Sequence, residues 1–375
     1  SAYVGFIRPR DRLRVRGNHT FFEFVPLCEP RRTDAPQRAI FASQDIAMNR
    51  IEEADLGDLI RTSGFYKFGA TRLPLDEAYL SYFSSWISQG NHADMQWLEK
   101  NYRARRSGTA VLPNARSVLV LLAPSSPRNP AECPPKPSGP GEMRIADFAL
   151  GVDYHNVLRA AAEPIAQRLR EVFPLSLWRI CIDSAPLFER AAAFASGLGF
   201  IGRNSMLIDP DSPYGSRFYI VCIIGTADLK IDRYMEAEWI VDKQKRHCGD
   251  CRLCIDSCPG GALSFGQMFD ACRCVSYMTI EKRGEMTPEE HERAGDRLFG
   301  CDTCQDVCPY NAIAPITPFL DLRENVRTKA YVPANAFDAS KMTRGEFRRQ
   351  FSDSSLWRAG ITKLRKRTEF FRKKK

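Results

Sequence analysis

Nine of the thirteen cysteines lie between Cys248 and Cys308. The block CGDCRLCIDSCPGGAL spaces Cys248, Cys251, Cys254 and Cys258 as C-x2-C-x2-C-x3-C-P, the bacterial ferredoxin run that ligates iron–sulfur clusters. Three thiolates two residues apart on a tight loop can cap three corners of one cubane. The fourth, before Pro259, is carried round to the other cluster. The block GCDTCQDVCPYN offers Cys301, Cys304 and Cys308 before Pro309, one thiolate short of a full run, and Cys272 or Cys274 must supply it. Eight thiolates then serve two 4Fe-4S clusters. A zinc ribbon built from Cys248-x2-Cys251 and Cys301-x2-Cys304 would be redox-silent and would leave Cys254, Cys258 and Cys308 without a role. A long chain with an odd cysteine count is a poor disulfide scaffold.

Away from the cysteines, Asp183 is the carboxylate placed for chemistry. It ends the expected strand LWRICIDSAP, at the edge where open α/β sheets hold ligands; Asp183 or Ser184 could also cap the helix expected just after Ala185. Two motifs could mislead. GLGFIG, Gly197 to Gly202, matches G-x-G-x-x-G, but a helix precedes it and Tyr219 stands near the place of the required acid, so dinucleotide binding is not expected. It is read as a glycine loop that lets backbone approach some other large cofactor. Asp153-Tyr154-His155 carries the D-x-H of proteins whose histidine ligates cobalt, with Leu158 in place of the following glycine; His155 is read as a hydrogen-bonded group at a helix start.

The elements that must position these residues follow from periodicity. IEEADLGDLIRTSGF and LDEAYLSYFSSWISQG read as helices stopped by Gly64 and Gly90, FYKFGATR as a strand, and SVLVLLAP and RFYIVCIIGTADL as buried strands. A helix should follow GVDYH, bent or interrupted at Pro164. Residues 124 to 140 carry seven prolines and make an extended loop. The alternation of strands and helices predicts an α/β domain over residues 51–242. A basic extension (1–50) precedes it, a ferredoxin-like two-cluster module (243–315) follows, and a basic segment (316–375) closes the chain. At 375 residues the chain can bury a full core. No apolar run approaches a membrane span and the Arg-rich start has no apolar signal core, so a cytoplasmic protein with reduced thiols is expected. The net charge of +9 points to a polyanionic partner such as nucleic acid. KLRKRTEFFRKKK, residues 363–375, concentrates that charge as a solvated tail or a phosphate contact.

The segments DYH (153–155), IDSAPLFERAAAFASGLGFIGRNSMLI (182–208), GS (215–216), RCVSYMTIEKRG (273–284) and FGCDTCQDVCPYN (299–311), with the first cysteine run, resemble the epoxyqueuosine reductases. These are cobalamin and iron–sulfur enzymes of queuosine synthesis in tRNA. The resemblance selects Cys274 over Cys272. It implies one cluster on Cys248, Cys251, Cys254 and Cys308 and another on Cys258, Cys274, Cys301 and Cys304. It further implies a cobalamin between the α/β domain and the cluster module, with Asp183 as proton donor, its pKa raised by burial. Contacts to cobalamin are expected from Lys100, Gly199, Gly202, Arg203 (where the family usually has Lys), Asn204 and Ser216. The implied substrate is the anticodon region of tRNA, and the implied electron source an external flavodoxin or ferredoxin acting on a monomer. The family usually continues into helical repeats that grip the anticodon stem, whereas 64 residues follow Asn311 here. Two alternatives share the cofactors in part: a small-molecule reductase like the reductive dehalogenases, which would not need a basic tail, and a ferredoxin-type carrier, which leaves the α/β domain unexplained.

Overall fold

The computed structural model describes residues 53–100, 102–125, 141–229, 239–312, 315–319 and 331–374. The basic N-terminal extension and residues 126–140 of the proline-rich loop lie outside them. The strands are β1 (Lys67–Arg72), β2 (Ser117–Pro124), β3 (Glu142–Ile145), β4 (Trp178–Ile182), β5 (Phe200–Ile201), β6 (Leu207–Ile208), β7 (Phe218–Gly225), β8 (Arg297–Phe299) and β9 (Tyr331–Pro333).

The apolar run SVLVLLAP forms β2, buried along its whole length, because the two-residue period of a strand sends its side chains into two cores. Val118, Val120 and Leu122 join Phe194 and Leu198, while Leu119, Leu121 and Ala123 join Leu158, Ile165 and Leu169. The sheet order is β1-β2-β7-β4, with registers such as Leu119↔Ile223 and Cys181↔Cys222. Helices and strands mix as expected, but every pairing in this sheet is antiparallel. The connections bring the chain back in reverse. Helices Glu77–Ser88 and Tyr102–Ser107 lie between β1 and β2, and helix Glu189–Ala195 with the β5–β6 hairpin lies between β4 and β7. The rule that parallel sheets bind ligands at their carboxyl edge therefore does not explain the position of Asp183.

Two local expectations are corrected, and a third segment gains a structural reason for its glycine. Helix Tyr154–Val172 runs unbroken through Pro164. Pro164 and Ala160, whose carbonyl loses its donor, are both exposed, so water can replace the missing bond. The next helix starts only at Glu189, with no side-chain cap, so neither Asp183 nor Ser184 caps it. In GLGFIG the chain passes from a helix into the β5–β6 hairpin, and a Cβ on Gly199 would lie 2.2 Å from the Ile208 carbonyl oxygen. That glycine serves a close backbone crossing within the hairpin.

The C-terminal segment is integral to the body. β3 pairs in parallel with β8 and antiparallel with β9, and Met143, Phe299, Phe337, Phe347 and Leu364 share one core. The basic run is helix Gly360–Lys373, and its cations are largely engaged. Lys363 donates to the carbonyls of Ile280 and Lys282, Arg365 to those of Phe337 and Met342, and Arg367 to those of Arg297 and Gly295. Arg367 is 2% exposed. The run is thus a docked helix rather than a solvated tail. Among the described residues no helix is long and apolar enough to cross a membrane. Arg367→Ala should strand buried carbonyls and cost about 3 kcal/mol, lowering Tm, whereas Lys373→Ala should leave Tm within about 1 °C. Equal thermal shifts would contradict the docked helix.

Candidate active site

The fold gathers the cysteines into two groups. Cys254 feels the charges of Cys248, Cys308 and Cys251, while Cys304 lies among Cys301, Cys274 and Cys258. Cys272 is exposed, with its thiol 3.4 Å from the Gly90 carbonyl oxygen, and takes no part in either group. Burial, reinforced by the other thiols, pushes Cys254 up to about 12 and Cys274 to about 11. Such crowded thiolates are unfavourable alone and are stabilised by iron. Among the described residues no three ligating side chains converge on a single-ion site. Arg203 braces the first loop, donating to the carbonyls of Cys251 at 2.8 Å and Gly249 at 2.6 Å, with its guanidinium over Phe265.

A cavity of about 490 Å³ lies between the sheet domain and the cysteine module. Its sheet side is Tyr154, Asp183, Ser216, Phe218 and Tyr219, and one end is apolar, with Phe83, Met95 and Leu98. Cys274 and Cys301, both of the second group, also form part of its wall. Ser355 and Arg358 reach it from the C-terminal segment.

Asp183 sits just past β4 with φ +54°, a left-handed conformation that costs a non-glycine residue about 1–3 kcal/mol. The Ser184 amide closes this tight turn onto the Ile182 carbonyl at 2.5 Å. Tyr154 donates its hydroxyl to Asp183 Oδ2 at 2.8 Å. Burial and the charge of Asp183 raise the Tyr154 pKa, which keeps that donor protonated. Tyr154 stacks on Tyr219, with centroids 4.4 Å apart, and on His155. His155 Nδ1 is 2.6 Å from Asp153 Oδ1 and Nε2 is 4.0 Å from Asp183 Oδ2. His155 is therefore a hydrogen-bonded group behind Asp183, not part of the cavity wall. The Arg358 guanidinium lies against its ring. The Tyr154 phenol donor and the Arg358 guanidinium favour the carboxylate form of Asp183. These partners oppose the neutral acid that burial alone would favour.

Of the residues expected at the cofactor, Asp183 and Ser216 reach the cavity, whereas Lys100, Gly199, Gly202, Arg203 and Asn204 do not line it. Ser216 is fixed by Asn311, whose Oδ1 accepts its amide at 2.7 Å. Sequence reading missed Glu189, Arg105, Arg217 and Arg358. Glu189 stood in plain view in PLFER, six residues after Asp183, but reads there as an ordinary first-turn acid.

Residues 105–184 match the family described as "Epoxyqueuosine reductase QueG, DUF1730", and residues 247–311 the "4Fe-4S double cluster binding domain". The epoxyqueuosine reductase of Xanthomonas campestris pv. campestris is 34% identical over 273 residues, covering 72% of this chain and 73% of the relative. The chain belongs to the epoxyqueuosine reductase family. Among solved epoxyqueuosine reductases, one with a tRNA-Tyr epoxyqueuosine-modified stem loop gives a TM-score of 0.72 at 25% identity, over 86% of this chain and 81% of that one. The Bacillus subtilis epoxyqueuosine reductase, described with its catalytic aspartate loop swung out of the active site, gives 0.70 at 25% identity over the same shares. As in its family, this chain has a double-cluster domain. Anaerobically reconstituted protein should hold about eight iron atoms, and Cys274→Ser about four. Cys272→Ser should keep the full complement; loss of iron from it instead would reverse the choice between the two.

Proposed function

We propose that this chain reduces the epoxide of epoxyqueuosine in tRNA to queuosine, with cobalamin in the cavity and two 4Fe-4S clusters on the two cysteine groups. The observation that carries the reading is the shared cavity: Cys274 and Cys301 of the second cysteine group and Asp183 of the sheet domain line the same space. Family membership supports the reaction. The reduction takes two electrons and two protons and releases the epoxide oxygen as water.

The chain's own residues suit each requirement. An external one-electron donor such as a flavodoxin or ferredoxin would meet the group Cys248, Cys251, Cys254 and Cys308, and the group that includes Cys274 would pass electrons toward the cavity. The apolar end and the Tyr154–Tyr219 stack offer flat surfaces to a macrocycle, and Ser216 offers it a hydroxyl. Bound there, cobalamin supplies a cobalt centre that takes up single electrons and reacts as a strong nucleophile. Asp183, held toward the cavity by Tyr154, is placed to move a proton to the epoxide oxygen; the aspartate loop described for the Bacillus subtilis relative supports that role. The reading includes a monomer working in the cytoplasm.

The tRNA grip is assigned to a C-terminal helical hairpin, formed by helix Arg344–Phe351, the turn Ser355–Arg358 and helix Gly360–Lys373. Arg344, Arg348 and Arg349 are exposed on helix Arg344–Phe351. Trp357, 44% exposed, stacks on Phe347 with centroids 5.8 Å apart, and the next residue, Arg358, enters the cavity wall. Cations beside an exposed indole match a phosphate backbone and a splayed base. Asp183→Asn should retain both clusters and lower single-turnover rate by roughly 100-fold or more; an undiminished rate removes the proton role. Arg348→Glu with Arg349→Glu should weaken stem-loop binding and reduce its salt slope by about 1 for each phosphate no longer neutralised. An unchanged slope would move the grip elsewhere.

A further inference from the structure

The cavity holds a second carboxyl group that neither the resemblance nor the family assigns. Glu189 lines it six residues after Asp183, and its Oε1 is buried without a hydrogen-bond partner. The backbone N–H of Asp183 donates to the Glu189 carboxyl group, tying the two residues across the strained turn. Facing Glu189 are Asp183 from the end of β4, its neighbour Arg190, Arg105 from helix Tyr102–Ser107, and the thiols of Cys181 on β4 and Cys222 on β7. Burial holds both thiols neutral. Arg105 is itself buried, with an unpartnered Nε. Burial, and next the charge of Asp183, raise Glu189 to about 8. The pocket therefore contains one carboxyl whose surroundings favour the anion and one whose surroundings favour the acid.

We propose that Glu189 is the proton store of this pocket, a positioning residue that acts through Asp183. The O–H of Glu189 breaks and its proton passes to the Asp183 carboxylate, which delivers it to the substrate oxygen as the epoxide C–O bond breaks; Glu189 is then reprotonated from solvent. The relay itself carries no electrons. The assignment rests on the reading of the cavity as the reaction site, and it answers the difficulty that Asp183 is surrounded by groups that favour its ionised form.

Difference infrared titration of the full reconstituted chain, from about pH 6 to about pH 10, reads the carboxyl without substrate. A protonated-carboxyl band should vanish through about pH 8, be missing in Glu189→Gln, and titrate at lower pH in Asp183→Asn, where a like charge is gone. In single turnover on an epoxyqueuosine stem loop, the wild-type rate should fall through the same midpoint as pH rises. Glu189→Gln keeps the shape but releases no proton, so it should lose roughly tenfold of the neutral-pH rate and its alkaline limb should flatten, while Glu189→Asp restores part of the rate. A band that titrates in the ordinary carboxylate range, or a Glu189→Gln profile with the wild-type limb, overturns the proposal. Absence of turnover in the wild type, with the band and its shift both present, removes the substrate and leaves the proton on Glu189 standing.

Discussion

A buried charge network fixes the spacing on which the cavity depends. Arg217, immediately before β7, reaches Asp147 at 3.2 Å and Asp306 at 2.5 Å, and Arg144 on β3 reaches Asp306 at 2.7 Å. The Asp147 amide also donates to Asp302 at 2.8 Å. Asp302 and Asp306 flank Cys304, so the sheet, the small β8-β3-β9 sheet and the second cysteine block are held by one set of ions. Such a network adds little net stability over an apolar packing of equal volume, but removing a single partner leaves an uncompensated buried charge at a cost of about 3–5 kcal/mol. It specifies geometry more than it stabilises. That geometry brings Cys274 and Cys301 into the same cavity wall as Asp183.

The cavity wall draws on distant parts of the described chain. Tyr154 starts a helix against the sheet, Asp183 ends β4, Ser216 and Phe218 lead into β7, Ser276 and Tyr277 come from the link between the cysteine blocks, and Arg358 comes from the C-terminal hairpin. The hairpin is anchored there by backbone as well, since the Asp153 amide donates to the Asp353 carbonyl at 2.6 Å. The left-handed turn at Asp183 is a conformation that costs a non-glycine residue about 1–3 kcal/mol and that the surrounding contacts must hold in place.

Local signals were legible in the sequence, and long-range ones were not. The cysteine spacing carries its chemistry in a few residues, and the runs of β2 and β7 announce buried strands by their apolar content alone. Strand direction is set by how each connection returns, which no window around Ser117 or Phe218 contains, and so the sheet's antiparallel order was not visible. The lysine-rich run read as charge because cations count alike whether solvated or docked; the carbonyls of Ile280, Gly295 and Phe337 that receive Lys363, Arg367 and Arg365 lie dozens of residues away. Arg203 was expected at the cofactor through the backbone of its glycine loop; what no local window shows is that its guanidinium serves the distant carbonyls of Gly249 and Cys251. Glu189 was hidden for the same reason: only the folded pocket strips its carboxyl of water and sets it beside Asp183.

The most direct test of the central claim is single-turnover incubation of an epoxyqueuosine-containing tRNA stem loop with the anaerobically reconstituted wild-type chain, cobalamin and a chemical reductant, read by nucleoside mass spectrometry. The account predicts queuosine, one oxygen lighter than its precursor, formed only when both clusters are reducible and cobalamin is bound. Unchanged epoxyqueuosine, with cobalamin bound and both clusters reduced, would contradict it.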